Sequence, residues 1–195
     1  MMSAKREELV RDSLTLNLSR LYARVLELEE QIESGREDLL EGYYEALREF
    51  RESFREFVRT RLRSFAEETM ETGIEYLAFV TEDGNALILE GDEGRVTAPV
   101  KGAIAEVHTH PGVCLPSPQD LRTAWHLLSK GMLAFSVYST ECYFSISVSG
   151  PFTEDDYVNL LKLSNEVKKA RTVEEYLDVL KKTRFEGLQV ELLPP

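Results

Sequence analysis

The sequence predicts an α/β fold preceded by a pair of antiparallel helices. Two observations support this prediction. Up to Gly73 the apolar residues recur every three or four positions, which is the period of an α-helix. After Gly73 short apolar runs typical of strands alternate with helical stretches. With 195 residues, the chain is long enough for one domain of catalytic size and an appendage.

The first helices are predicted from two apolar seams. One seam starts at Leu14 and is interrupted at Ser34 and Gly35, and the second runs on to Gly73. The seams consist of Leu14, Leu18, Leu21, Val25, Leu28 and Ile32, and of Leu40, Tyr43, Leu47, Phe50, Phe54, Phe57, Val58, Leu62 and Phe65. We therefore expect a helical hairpin or coiled coil over residues 1–72. Because a lone hairpin leaves its aromatic residues half covered, we also expect a homodimer through these helices.

Arginines are frequent along the second seam and alternate with glutamates. This pattern is typical of a solvated helix face, and docking of an acidic partner is the alternative. We interpret the arginines as a solvated face; they are Arg48, Arg51, Arg55, Arg59, Arg61 and Arg63.

The second part of the chain, residues 73–195, is predicted to form the α/β unit. A Glu-Asp-Gly-Asn turn at 82–85 joins its first two strands into a hairpin. The predicted strands lie at 75–81, 86–90, 95–100, 103–108, 132–138, 141–149 and, as an edge strand, 188–193. The predicted helices lie at 118–129, 153–169 and 172–182.

Charge and hydropathy exclude several classes of partner. The 35 acidic and 23 basic residues give a formal net charge of -12, which repels nucleic acids and anionic membranes. No run approaches the ~20 apolar residues that span a bilayer, and the N-terminus lacks the pattern of a signal peptide. We therefore expect a cytoplasmic protein that binds neither nucleic acid nor membranes. Cys114 and Cys142 are too few for a disulfide framework, but one bridge between them is compatible with the count.

The residues best suited to chemistry lie between positions 106 and 120. His108 and His110 stand at the end of a predicted strand, where residues two apart project from the same face. Imidazole pairs suit zinc, and a catalytic zinc takes about three protein ligands. Asp120 is the expected third ligand because the intervening turn brings the next helix back over the histidines. Cys114 is the alternative.

Each half of this pattern also has a purely structural interpretation. Ser117, Pro118 and Asp120 form a good helix N-cap without any metal. His108 and His110 taken alone can be ordinary strand residues. The combination of the two halves favours a metal site.

The string His108-Thr109-His110-Pro111, followed by Ser117-Pro118-Gln119-Asp120, resembles the JAMM motif of the MPN+ metalloproteases. The resemblance covers about residues 70–150 and implies an MPN fold, a cytidine deaminase-like mixed sheet flanked by helices, within residues 73–195. It implies that His108, His110 and Asp120 bind zinc and that Ser117 stabilises the oxyanion. Six residues separate His110 from Ser117, one fewer than is usual in the family, so the turn must be tighter.

A glutamate is expected to act as the base. In the family, a glutamate at the beginning of the first core strand deprotonates the attacking water, and Glu75 matches its position. Glu106, two residues before His108 on the same strand face, is the alternative.

The resemblance also implies a function, namely a zinc-dependent metallopeptidase that cleaves an amide or isopeptide bond. Its substrate is expected to be a protein or peptide, with ubiquitin-like conjugates as candidates. The alternatives are an inactive MPN scaffold whose helical hairpin mediates assembly, and a zinc hydrolase of a small amide.

Overall fold

The computed structural model describes residues 7–91 and 100–195, which form a mixed sheet between two layers of helices. The strands are β1 (Glu7–Val10), β2 (Tyr76–Thr81), β3 (Ala86–Glu90), β4 (Ala103–Thr109), β5 (Ala134–Tyr138), β6 (Tyr143–Val148) and β7 (Leu188–Leu193). The helices are α1 (Ser13–Glu33), α2 (Leu40–Arg61), α3 (Arg63–Thr72), α4 (Pro118–Leu128), α5 (Glu154–Val167) and α6 (Val173–Lys182). The predicted mixture of helices and strands is therefore confirmed for the described residues.

The sheet has seven strands in the order β1-β3-β2-β4-β5-β6-β7. Strands β4 and β5 pair in parallel, and the other neighbouring strands pair in antiparallel fashion. The predicted edge position of β7 is confirmed. Strand β1 was not predicted, and it pairs with β3 at the opposite edge. The strand predicted at 95–100 lies, except for Val100, outside the described residues.

Helices α1 and α2 pack against each other in opposite directions. The Asn17 side-chain amide donates to Ser53 Oγ at 3.0 Å. Helix α1 begins with a capping box, in which the Asp12 carboxylate accepts from the backbone N–H of Thr15. Gly73, with φ of 75°, ends α3 in the left-handed conformation that glycine adopts without strain.

The apolar seams of these helices are buried within the chain. Phe50, Phe54 and Phe57 of α2 are buried in one hydrophobic cluster that also contains strand residues such as Ala78 and Val107. The homodimer was inferred from aromatic residues that a lone hairpin would leave half covered. These three phenylalanines are instead fully buried within the chain. The homodimer and the division of the chain at residue 72 stay predictions.

Helices α4 and α5 pack together beside the sheet, and α4 contacts β5. His108 of β4 is paired with Leu77 of β2 on one side and with Val137 of β5 on the other. These three residues therefore share one face of the sheet. This face carries the candidate site. None of the described helices has the length and apolar character of a membrane span.

Candidate metal centre

The two histidines lie at the end of β4, the central strand of the sheet. His108 is buried, and its ring lies edge-on to that of Phe135 with 5.5 Å between centroids. His110 follows the end of β4, where its backbone N–H donates to the carbonyl of Tyr138 at 3.0 Å. The Nε2 atoms of the two histidines are 3.2 Å apart, so both rings converge on one point.

The loop between His110 and α4 is held at two places. Cys114 forms a disulfide with Cys142. The Tyr176 hydroxyl of α6 donates to the Pro116 carbonyl at 2.7 Å. Cys114, the alternative third ligand, is thus covalently engaged elsewhere, and the short loop still returns α4 to the histidines.

Asp120 reaches the histidines from the first turn of α4. Its backbone N–H donates to Ser117 Oγ at 3.1 Å, and Asp120 Oδ2 accepts from Ser117 N–H at 2.7 Å. Asp120 Oδ1 is 3.5 Å from His108 Nε2, and Oδ2 is 3.4 Å from His110 Nε2. The predicted helix cap and the predicted third ligand are therefore compatible roles, because the cap orients the carboxylate.

The three predicted ligands form a group that can hold a metal ion. One donor atom from each of His108, His110 and Asp120 lies within 4.8 Å of the others. The structure therefore brings together the three residues that the sequence predicts as ligands, and they form a possible metal site.

Opposite charges face each other in this cluster. Burial lowers the pKa of His108, but hydrogen bonds and charge from Asp120 and Glu106 outweigh burial and raise this pKa to about 10. Burial raises the pKa of Asp120, yet the hydrogen bonds with His108 and His110 dominate, so the pKa lies well below its ordinary value. Without a metal, hydrogen bonds and charge from Asp120 and Glu106 thus favour the protonated form of His108.

The two glutamates considered as bases lie on different sides of the histidines. Glu75 precedes β2, is 48% exposed, and places Oε1 4.0 Å from His110 Nε2. Glu106 is only 4% exposed and places Oε1 3.5 Å from His108 Nδ1, the ring nitrogen that faces away from the donor cluster. Of the two glutamates, Glu75 is therefore the one that lies beside the Nε2 atoms of the candidate metal site.

Thr109, between the two histidines, is a site residue that the sequence analysis did not identify. It points to the opposite face of the sheet, where Thr109 Oγ1 accepts from Tyr76 N–H at 2.8 Å and lies 2.6 Å from Thr69 Oγ1. Because Tyr76 directly follows Glu75, this bond links the ligand strand to the glutamate. Strand alternation places Thr109 on the face of the sheet opposite to His108, where α3 carries Thr69. The sequence alone does not show that Thr69 and Tyr76 are its partners.

Comparison with known proteins identifies no relative. No protein-family model matches the chain, and no curated protein or solved structure matches it either. The resemblance to the MPN+ metalloproteases therefore rests on the motif residues, and the family stays a hypothesis.

Proposed function

We propose that the chain is a zinc-dependent metallopeptidase of the JAMM type, with an MPN-type fold, that hydrolyses an amide or isopeptide bond. The spacing of the three donor atoms carries this proposal. A tetrahedral zinc with bonds of about 2.0–2.1 Å keeps its ligand atoms about 3.3–3.4 Å apart. The Nε2 atoms of His108 and His110 are 3.2 Å apart, and each has one oxygen of the Asp120 carboxylate at a similar separation: Oδ1 is 3.5 Å from His108 Nε2, and Oδ2 is 3.4 Å from His110 Nε2. These three residues would hold zinc, and zinc would supply Lewis-acid chemistry at this place.

The residues around the donor set suit amide hydrolysis. Bound zinc would polarise the scissile carbonyl and make an attacking water more acidic. The Glu75 carboxylate, half exposed and 4.0 Å from His110 Nε2, would take the proton of this water and deliver it to the leaving amine. The Ser117 oxygen accepts from Asp120 N–H, so the Ser117 hydroxyl keeps its own proton to donate to the developing oxyanion.

We assign Glu106 a role other than that of the catalytic base. Carboxylates that accept from the far nitrogen of a metal-binding histidine fix its tautomer and ring orientation. The position of Glu106 beside His108 Nδ1 supports this role. We therefore assign the proton transfer to Glu75 and the orientation of His108 to Glu106.

A protein or peptide is the proposed substrate. Glu75 is 48% exposed, so the proposed base is accessible to a substrate as large as a protein. Ubiquitin-like conjugates are the first isopeptide substrates to test.

Metal content and hydrolysis test the proposal together. We expect one zinc per purified chain by elemental mass spectrometry, and its loss in Asp120→Ala. Asp155→Ala, which removes an exposed acid from the first turn of α5, is the matched control and should keep the zinc. Glu75→Gln should keep zinc and lose hydrolysis of isopeptide-linked and peptide substrates.

Two results would contradict the proposal. A chain that binds no zinc even after reconstitution would leave only a helix cap and two strand histidines. Full hydrolysis by Glu75→Gln together with an inactive Glu106→Gln would show that the base is wrongly assigned.

A further inference from the structure

Arginines of α2 lie one helical turn apart along the last strand of the sheet. Arg55 Nη2 is 3.0 and 2.9 Å from the two carboxylate oxygens of Glu191 in β7. Arg51 Nε is 3.8 Å from Glu191 Oε1. Arg59 donates to the Pro194 carbonyl. The prediction of a solvated arginine face is therefore wrong for Arg51 and Arg55, whose side chains are only 12% and 23% exposed.

The charges in this cluster do not balance. Among the described residues, Glu191 is the carboxylate paired with both Arg51 and Arg55, and Arg59 pairs with a neutral carbonyl. Arg51 and Arg55 thus share one carboxylate, which leaves an excess of one positive charge at this place in a chain whose net charge is -12. A shielded charge without a counter-charge is costly, because burial removes water without supplying a replacement.

Polar atoms inside the cluster also lack hydrogen bonds. Within the described part of the chain, Arg51 Nε, Arg55 Nε and the hydroxyl of the buried Ser147 in β6 have no hydrogen-bond partner. Ser147 lies opposite Gln189 in the β6–β7 ladder, and the Gln189 amide donates to Glu191. The unsatisfied hydroxyl is therefore on the same face as Glu191. A bound ion or water molecule is one way in which native structures satisfy such buried polar groups.

We propose that this cluster, formed by Arg51, Arg55, Ser147 and Glu191, binds a free oxyanion of the phosphate class. A guanidinium offers a fixed fork of donors that fits a tetrahedral oxyanion, and the Ser147 hydroxyl adds a neutral donor. The anion would balance the excess charge that Glu191 leaves uncompensated. Ser147 lies on the face of the sheet away from His108, so this site is independent of the metal centre and of the proposed function.

Thermal unfolding of the full chain tests the proposal, with sodium phosphate replacing sodium chloride at constant ionic strength. We expect phosphate at ten times its dissociation constant to raise Tm by about 3–6 °C. Arg51→Met removes the excess charge and keeps the Arg55–Glu191 pair, so the rise should disappear. Arg48→Met is the matched control, because Arg48 lies on the same helix but is exposed and pairs with Glu45. It should keep the full response.

Isothermal titration of Glu191→Gln provides an independent test. Removing the competing carboxylate should tighten phosphate binding at least tenfold, whereas weaker binding would overturn the proposal. Glycerol 3-phosphate should bind much more weakly than phosphate, because the side chains of Arg51 and Glu191 are only 12% and 14% exposed. Stronger binding of glycerol 3-phosphate would overturn the assignment of a free anion. Equal Tm values in phosphate and chloride, or an undiminished response in Arg51→Met, would overturn the site itself, even if Glu191→Gln does not fold.

Discussion

Thr109 joins the strand of the two histidines to the beginning of β2, and replacing it with valine tests this connection. Valine has nearly the same shape but cannot accept from Tyr76 N–H or bond with the Thr69 hydroxyl, two contacts of 2.8 and 2.6 Å. Leaving a buried donor unsatisfied costs about 1–3 kcal/mol. The added methyl group returns about 0.8 kcal/mol. Because two groups, Tyr76 N–H and the Thr69 hydroxyl, lose this partner, we expect Thr109→Val to lower the free energy of unfolding by about 1–5 kcal/mol.

This loss is measurable by thermal unfolding of the metal-free protein. For a chain of this size, about 1–5 kcal/mol corresponds to a fall in Tm of roughly 2–20 °C. Thr109→Ser keeps the hydroxyl and is the matched control, which should retain most of the stability. If Thr109→Val is as stable as Thr109→Ser, the hydroxyl does not hold β2 to β4. Since both histidines remain, zinc binding should survive, while displacement of Glu75 should reduce hydrolysis.

Three further predictions concern the metal centre and its loop. Glu106→Gln should weaken zinc binding roughly 10- to 100-fold in a competition with a chelator, because the carboxylate orients His108. Zinc binding at pH 7 should release one proton from His108, whose pKa is raised to about 10, so affinity should rise with pH up to that value. Calorimetry in buffers of different ionisation heat counts this proton. The double variant Cys114→Ser with Cys142→Ser should lose about 3–4 kcal/mol in denaturant unfolding, given the separation of 28 residues.

Each of these predictions has a result that would contradict it. Unchanged zinc affinity in Glu106→Gln would show that the buried carboxylate does not orient its histidine. Binding without proton release would mean that His108 is already neutral at pH 7. A double cysteine variant as stable as the parent would show that the bridge does not restrict the unfolded chain.

Local patterns in the sequence were sufficient to predict most of the described helices and strands. The helix cap at Ser117 and Pro118 predicts the start of α4, and the structure begins that helix at Pro118. Strand alternation places His108 and His110 on one face, and the structure brings both to Asp120. These predictions succeed because caps and alternation depend on residues close together in the chain.

Features that depend on distant partners could not be predicted. Strand β1 is short and largely exposed, and its pairing with β3 defines it. Arg55 carries the same helical signal as an exposed arginine, yet its partner Glu191 lies 136 positions away. The hydroxyl of Tyr176 reaches Pro116 across 60 positions. No spacing rule links such pairs, because tertiary packing alone brings them together.

The order of the strands also determines how the candidate site tolerates local motion. Glu75 adjoins β2, His108 belongs to β4 and His110 directly follows β4, so these residues lie on neighbouring strands with at least two strands outside them on either side. Edge strands open first in hydrogen exchange, while central strands open only with global unfolding. Amide protons of β1 and β7 should therefore exchange without loss of metal. Exchange at β4 should occur only when the whole chain unfolds, so the strand that carries His108 should be among the last to exchange.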